Sequence, residues 1–275
     1  MLAFALTAAL GPALWAVISS FKTNDQLLAG AFTPPAPPSM TGYVDAFRQV
    51  DLPVNILNTF LYAAPAAVLC PLVALMLAYP CTRLRFPFRR LITVTIASGI
   101  AVPAVCLITP EFFLMLRLQL LDTKHGMVIF YAAIMLPLAF VILRAFLVSV
   151  PDEVEEAAAL DGASYYQILF RIVAPIVAPA MATVSVLVFI SVWNDFLWNF
   201  LLAPGFDNRN TQVVLASFRG QFNSNIPAML AGVTVVLIVP VVLFLLTQRR
   251  AIAALAGSTA GGEATRRPGP PVPGR

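Results

Sequence analysis

Six long apolar runs decide what this chain can fold into. Leu2 to Phe21, Val54 to Tyr79, Leu91 to Ile108, Met127 to Leu147, Pro175 to Trp193 and Ile226 to Leu246 each approach the roughly 20 residues that an α-helix needs to cross a bilayer core. A segment in hydrocarbon must satisfy its backbone N–H and C=O groups internally, so runs of this length are read as helices. The expected fold is all-α, a polytopic membrane protein of six transmembrane helices. Composition agrees: 60% of the 275 residues are hydrophobic and 11% are charged, against the roughly 25% charged residues of a typical soluble domain. An ordinary water-soluble fold is excluded, and disordered and collagen-like chains with it. Cys70, Cys81 and Cys106 are odd in number and lack CxxC spacing, which suits small packing residues and not a disulfide scaffold.

The formal charge of +4 would hint at nucleic acid if its sources were clustered on one face. They stand instead at the ends of apolar runs, as a bilayer arranges them, and no nucleic-acid partner is expected. Between the second and third runs lie Arg83, Arg85, Arg89 and Arg90 without an acid, and Arg249 and Arg250 follow the sixth. Both sites belong in the cytoplasm by the positive-inside rule, which puts both termini there. Residues 26–52, 109–126 and 203–225 then face outward, carrying Arg48, Arg117, Lys124, Arg209 and Arg219, with Lys22 just before them, so the bias is modest. The first run has no basic leader and is bulky from Trp15 to Phe21, the pattern of a retained span and not of a cleaved signal. Pro65, Pro71, Pro103, Pro137, Pro179 and Pro240 fall in or near the runs, where prolines shape helices by removing a hydrogen bond. The domain division follows: residues 1–255 form the membrane domain, and the Gly/Pro/Arg-rich residues 256–275 form a flexible cytoplasmic tail.

One cytoplasmic segment, residues 149–173, differs from every other loop. Ser149 with Asp152, and Pro151 between them, has the pattern of a capping box that starts a short helix. Its opening acids suit the positive helix end, and Gly162 ends it. Ser164 with Gln167 forms a second box and launches a helix with Tyr165, Ile168, Leu169 and Ile172 on one side. The product is an elbow of helix, glycine bend and helix. Val154, Ala157 and Ala158 fall on one stripe where another protein could approach closely, flanked by Glu153 and Glu156. An interfacial helix on an anionic leaflet would be basic. This one opens with Asp152, Glu153, Glu155 and Glu156, which favours docking to protein.

Enzymatic chemistry finds no foothold. A phosphate-binding loop requires Lys after Gly, whereas Lys22 follows Phe21 and Lys124 precedes His125. The single histidine, His125, cannot build a multi-histidine metal site and lies in an outer loop, away from any Ser-His-acid set. No catalytic residue, metal or cofactor is expected. Polar groups that lipid should exclude are the candidates for a solute pathway: Asn58, Trp193, Asn194 and Asp195. Asn55 and Asn58 suit helix caps at the outer end of the second span better than solute ligands, and Asn194 and Asp195 fall near the outer interface, where an acid costs little.

Glu156-Ala157-Ala158, Gly162, Ile172 and Pro175 stand at the spacing EAA-x3-G-x9-I-x-L-P, with Ala174 in the Leu position. This resembles the EAA signature of permease subunits from binding-protein-dependent ABC importers. The resemblance extends to the carbohydrate branch, the maltose and glycerol-3-phosphate type. It is carried by Ser20-Phe21-Lys22-Thr23, Asn58-Thr59, Ala78-Tyr79, Arg83-Leu84-Arg85-Phe86, Leu121-Asp122-Thr123, Trp193-Asn194-Asp195-Phe196 and Gln248-Arg249-Arg250. It departs at the start, where the family usually has a charged stretch before the first span. The resemblance implies a multi-pass protein of the prokaryotic cytoplasmic membrane that carries no ATPase of its own. Its partners would be a second permease subunit, two ATP-binding cassette subunits, an extracytoplasmic solute-binding protein and membrane lipid. The ATPase would couple through Glu153, Glu156, Ala157, Ala158, Asp161, Gly162, Ile172 and Pro175. An ion-driven secondary transporter would carry buried charges mid-span or an inverted repeat; Asp195 is essentially the one such charge, and no repeat is found. An ABC importer of a non-sugar solute would share the elbow without the other segments.

Overall fold

The computed structural model describes residues 1–220, 225–242 and 245, and no β-strand occurs among the described residues. The helices are α1 (Leu2–Ser19), α2 (Asn24–Ala29), α3 (Thr41–Arg48), α4 (Leu52–Arg83), α5 (Arg89–Ser98), α6 (Ile108–Arg117), α7 (Lys124–Val148) and α8 (Asp152–Leu160). Then α9 (Tyr165–Gln167) continues through a π-helical segment, Ile168–Val173, into α10 (Ala174–Trp193). After it come α11 (Leu197–Leu202), α12 (Thr211–Ser217) and α13 (Ile226–Val242). Met1–Ile238 form one compact unit; the second, Val239–Arg275, is described only at residues 239–242 and 245. The expected tail from Ala256 and the Gln248-Arg249-Arg250 segment lie outside the described residues.

Among the described residues, three helices are by themselves long and apolar enough to cross a bilayer: α4, α7 and the continuous Tyr165–Trp193. They form the core by laying small side chains against larger ones. On α4, Ala63, Ala66, Cys70, Ala74 and Ala78 recur every three or four residues and are buried, a helical stripe. They meet α7, with Ala139, Phe140, Leu143 and Leu147 buried, and α10, with Val177, Ala180, Val184 and Val188 buried. In a bilayer no hydrophobic gain draws two helices together, so small residues that admit close packing do that work. Cys70 and Cys81 are buried free thiols and Cys106 is an exposed one.

The third apolar run corrects the sequence reading. Leu91 to Ile108 is not one helix: Arg89–Ala101 and Ala104–Arg117 are two pieces bent by 104°. Pro103 sits at the break with φ −60°, and Val102 before it is extended at ψ 119°, the conformation that a following proline imposes. Residues 109–126, expected to be loop, therefore contain most of α6. Pro65, Pro71, Pro137 and Pro179 remain inside their helices.

Contacts between helix ends fix the directions of the chain. At one end, Tyr131 of α7 donates to Asp195 beyond α10, and Asn58 of α4 donates to the carbonyls of Asp207 and Arg209. At the other, Arg83 closing α4 meets Val150 after α7 and the start of α8. So α4 and α7 run the same way, α10 runs against them, and the bent pair returns the chain between α4 and α7. Ser20 after α1 shares a 2.7 Å hydrogen bond with Tyr43 of α3, so α1 arrives at the Asp195 end just before α4 leaves it.

Candidate functional site

The elbow begins where α7 stops. Ser149 is not the cap of α8 that its spacing suggested: its hydroxyl donates back to the Phe146 carbonyl at 2.7 Å, and Pro151 is the N-cap. A Ser149 cap would need Val150 to be helical, and a residue preceding proline is pushed out of that region. α8 then runs from Asp152 with three acids in its first turn, placed at the positive end of its dipole. It ends in a Schellman turn, with Ala163 N–H on the Ala158 carbonyl at 3.0 Å and Gly162 N–H on Ala159 at 3.1 Å. Gly162 has φ +83° and open space around the site of a Cβ, so backbone conformation alone demands glycine here.

The second box forms as expected, with Ser164 N–H donating to Gln167 Oε1 at 2.7 Å. Ile168, Leu169 and Val173 are buried beyond it, Ile172 is half-buried, and Tyr165 is exposed, so it does not join the packed side. Pro175, near the start of α10, cannot donate to the turn before it, and the wider π-helical segment immediately precedes it. Glu153, Glu156, Ala157, Asp161 and Pro175 are exposed, and Ala158 is half-buried. Val154 is exposed and Leu160 is 90% exposed. The elbow therefore offers an acidic and apolar outer surface.

Glu155 behaves differently from its neighbours. Its Oε1 accepts from Arg83 Nε at 2.7 Å and its Oε2 from the Tyr79 hydroxyl at 2.9 Å. Arg83 Nη1 donates to the Asp152 carboxylate and Nη2 to the Val150 carbonyl at 2.6 Å. The Arg83 and Glu155 side chains are 13% and 12% exposed. Sequence reasoning used Arg83 for orientation and Glu155 for composition, and missed their meeting. The two lie 72 positions apart, and no local signal joins them.

At the other end of the bundle a polar knot takes in two of the four pathway candidates, Asp195 and Asn58. Asp195 accepts from Tyr131 at 2.8 Å and from the Asn199 and Trp198 N–H groups at 3.1 and 3.4 Å, capping α11. Burial pushes the Asp195 carboxyl above its ordinary range, while the bonds from Tyr131, Asn199 and Trp198 pull it back. Asn199 Oδ1 accepts from Asn210 N–H at 2.8 Å, and Asn210 in turn caps α12 through Val213. Asp122, in Leu121-Asp122-Thr123, accepts from Gly205 N–H at 3.1 Å, and its carbonyl accepts from Asn208 at 2.7 Å.

Asn58 is 1% exposed and holds the Asp207 and Arg209 carbonyls. Asn55 holds the Val50 and Asp51 carbonyls at 2.7 and 3.1 Å. Trp193 is 1% exposed and stacked on Phe189 at 5.6 Å, whereas Asn194 is exposed and donates to Ile190. Among the described residues, Asn58 Oδ1 and Trp193 Nε1 are buried without a protein partner. Lys22 is buried too, with its ammonium on the Gly30 and Ala31 carbonyls at 3.1 and 3.0 Å. His125 is exposed, and among the described residues no cluster of His, Cys, Asp or Glu could hold a metal.

The chain was compared with known proteins. It is 30% identical over 91% of its length to a diacetylchitobiose uptake system permease protein of Streptomyces coelicolor, 82% of which is covered. It is 31% identical over 92% of its length to a trehalose transport system permease protein of Mycobacterium tuberculosis, 93% of which is covered. A sulfoquinovosyl glycerol transport system permease protein of Agrobacterium fabrum is 30% identical, covering 91% of this chain and 87% of that one. Among solved structures, one chain of a bacterial ABC transporter involved in the import of the acidic polysaccharide alginate shares the fold. It matches with TM-score 0.77 and 24% identity over 90% of this chain and 92% of that one. The model of the binding-protein-dependent transport system inner membrane component matches residues 38–251, well over half of the chain, and the chain belongs to that family.

Proposed function

We propose that this chain is the membrane-spanning permease subunit of an ABC importer for sugars, forming the solute pathway and leaving ATP hydrolysis to a separate subunit. The observation that carries the reading is the elbow. α8 is a short helix ended by a left-handed glycine, with Glu153, Glu156, Ala157 and Leu160 on its exposed surface, beside the arginine-rich end of α4. That end faces the cytoplasm by the positive-inside rule. The relatives named for diacetylchitobiose, trehalose and sulfoquinovosyl glycerol support a sugar or glycoside as cargo.

In this reading the apolar runs make six spans, with the bent pair serving as the third and both termini inside. ATP binding closes a pair of cassette subunits, which move α8 and with it the bundle. A second permease completes the pathway, and a solute-binding protein docks on the side of the Asp195 knot. Residues 149–173 form the coupling loop, with Glu153, Glu156, Ala157, Ala158, Asp161, Gly162, Ile172 and Pro175 shaping it. Asn58, Trp193, Asn194 and Asp195 shape the outer end of the pathway. Co-expression with the neighbouring transport genes tests the reading: an ATPase subunit and a second permease should co-purify. A chain that accumulates solute alone in liposomes, driven by an ion gradient, would contradict it.

A further inference from the structure

We infer that Arg83 is a positioning residue that rivets the elbow to α4, so that any force on α8 is delivered to a helix crossing the whole bilayer. The inference rests on the functional reading above, in which a cassette subunit moves α8. Of the four acids that open α8, two point their charge outward, Glu153 and Glu156. Asp152 and Glu155 are tied to Arg83. The guanidinium places its three nitrogens on three acceptors from different parts of the elbow: Glu155 Oε1 at 2.7 Å, the Asp152 carboxylate and the Val150 carbonyl at 2.6 Å. The second Glu155 oxygen is held by Tyr79, one turn earlier on α4. Such a fork fixes orientation as well as distance, which a lysine ammonium does not.

The chain itself offers a second route: α8 continues into the π-helical segment and α10 through the Gly162 turn, which is held by two backbone hydrogen bonds. The ion-paired side adds a link fixed by charge-assisted hydrogen bonds directly to α4. α4 in turn carries, at its far end, Asn58, Thr59 and Tyr62, which bond to the 207–211 loop. One helix thus joins the elbow to the outer knot.

The test uses the intact importer in nanodiscs, with exposed Cys106 replaced by serine and spin labels on Ala159→Cys of α8 and Val68→Cys of α4, both exposed positions. The wild-type distance between them should be narrow and unchanged between nucleotide-free and vanadate-trapped states. In Arg83→Gln it should broaden and shift on trapping. Stimulation of ATP hydrolysis by the solute-binding protein, purified with its cargo in place, should fall about tenfold, within the span of ordinary coupling factors. The cassette subunit should still co-purify, and Arg83→Lys should recover part of both signals.

An unchanged distance in Arg83→Gln would overturn the rivet. A broadened distance with full stimulation would overturn its role in coupling. A wild-type chain that keeps the narrow distance but retains no cassette subunit would instead sink the functional reading, and this inference with it.

Discussion

Gly162 and Asp195 carry the sharpest consequences at the scale of single residues. Gly162 holds φ +83° with open space at the site of a Cβ, so the main penalty of Gly162→Val is a conformation that costs an L-residue about 1–2 kcal/mol or more. The variant should reach the membrane in normal amount but hydrolyse ATP without matching uptake; normal uptake per ATP would count against the docking role. Asp195→Ala strips Tyr131 of its acceptor and α11 of its cap. The expected loss is about 2 kcal/mol or more, read as a lower melting temperature in detergent, while Asp195→Asn should lose less because it keeps a carbonyl acceptor. Because the folded Asp195 carboxyl lies above its ordinary range, the native state holds that proton more tightly than the unfolded chain. The stability it confers should therefore fall as pH rises from the ordinary carboxylate value to the raised one. A melting series over that window should show the slope in wild type and lack it in Asp195→Asn. The glycine and the Ser164-Gln167 box were legible in the sequence because both act within a few residues of themselves. Glu155 was not, since its inward turn is decided by Arg83 on another helix.

At the scale of elements, prolines explain both corrections. The Ser149 box has the right residues at the right spacing, yet Pro151 forbids Val150 a helical conformation and moves the start of α8 to Asp152. Pro103 does the same to the third apolar run, where composition gave length but not the 104° turn. The other prolines in the spans leave no such break, and no periodicity separates the two outcomes. The bend has a packing partner: a Cβ on Gly99 would lie 2.8 Å from Pro137 Cγ on α7. Gly99→Leu should force α5 from α7 at a cost of about 1–3 kcal/mol, seen as reduced thermal stability with the cassette subunit still bound. Unchanged stability would mean that the bend does not depend on that close approach.

For the whole molecule, the helical class, the boundaries of α4 and α7 within a few residues and the elbow's place along the chain were legible in the sequence, because all of these follow from apolar runs and local punctuation. What it could not supply was the mutual arrangement: α4 and α7 running the same way, one end tied by Arg83 and the other by the Asp195 knot. Those ties join residues 64 to 152 positions apart. They make α4 the physical link between the elbow at one end of the bundle and the knot at the other, and the proposed function depends on which side of the membrane α8 occupies. The most direct measurement is thiol labelling of Leu160→Cys, in the Cys106→Ser background, by a membrane-impermeant maleimide. Inverted vesicles should label strongly and intact spheroplasts should not, and added cassette subunit should protect the site. Labelling from outside intact spheroplasts, or no protection by the cassette subunit, would contradict the docking of a nucleotide-driven motor on this elbow.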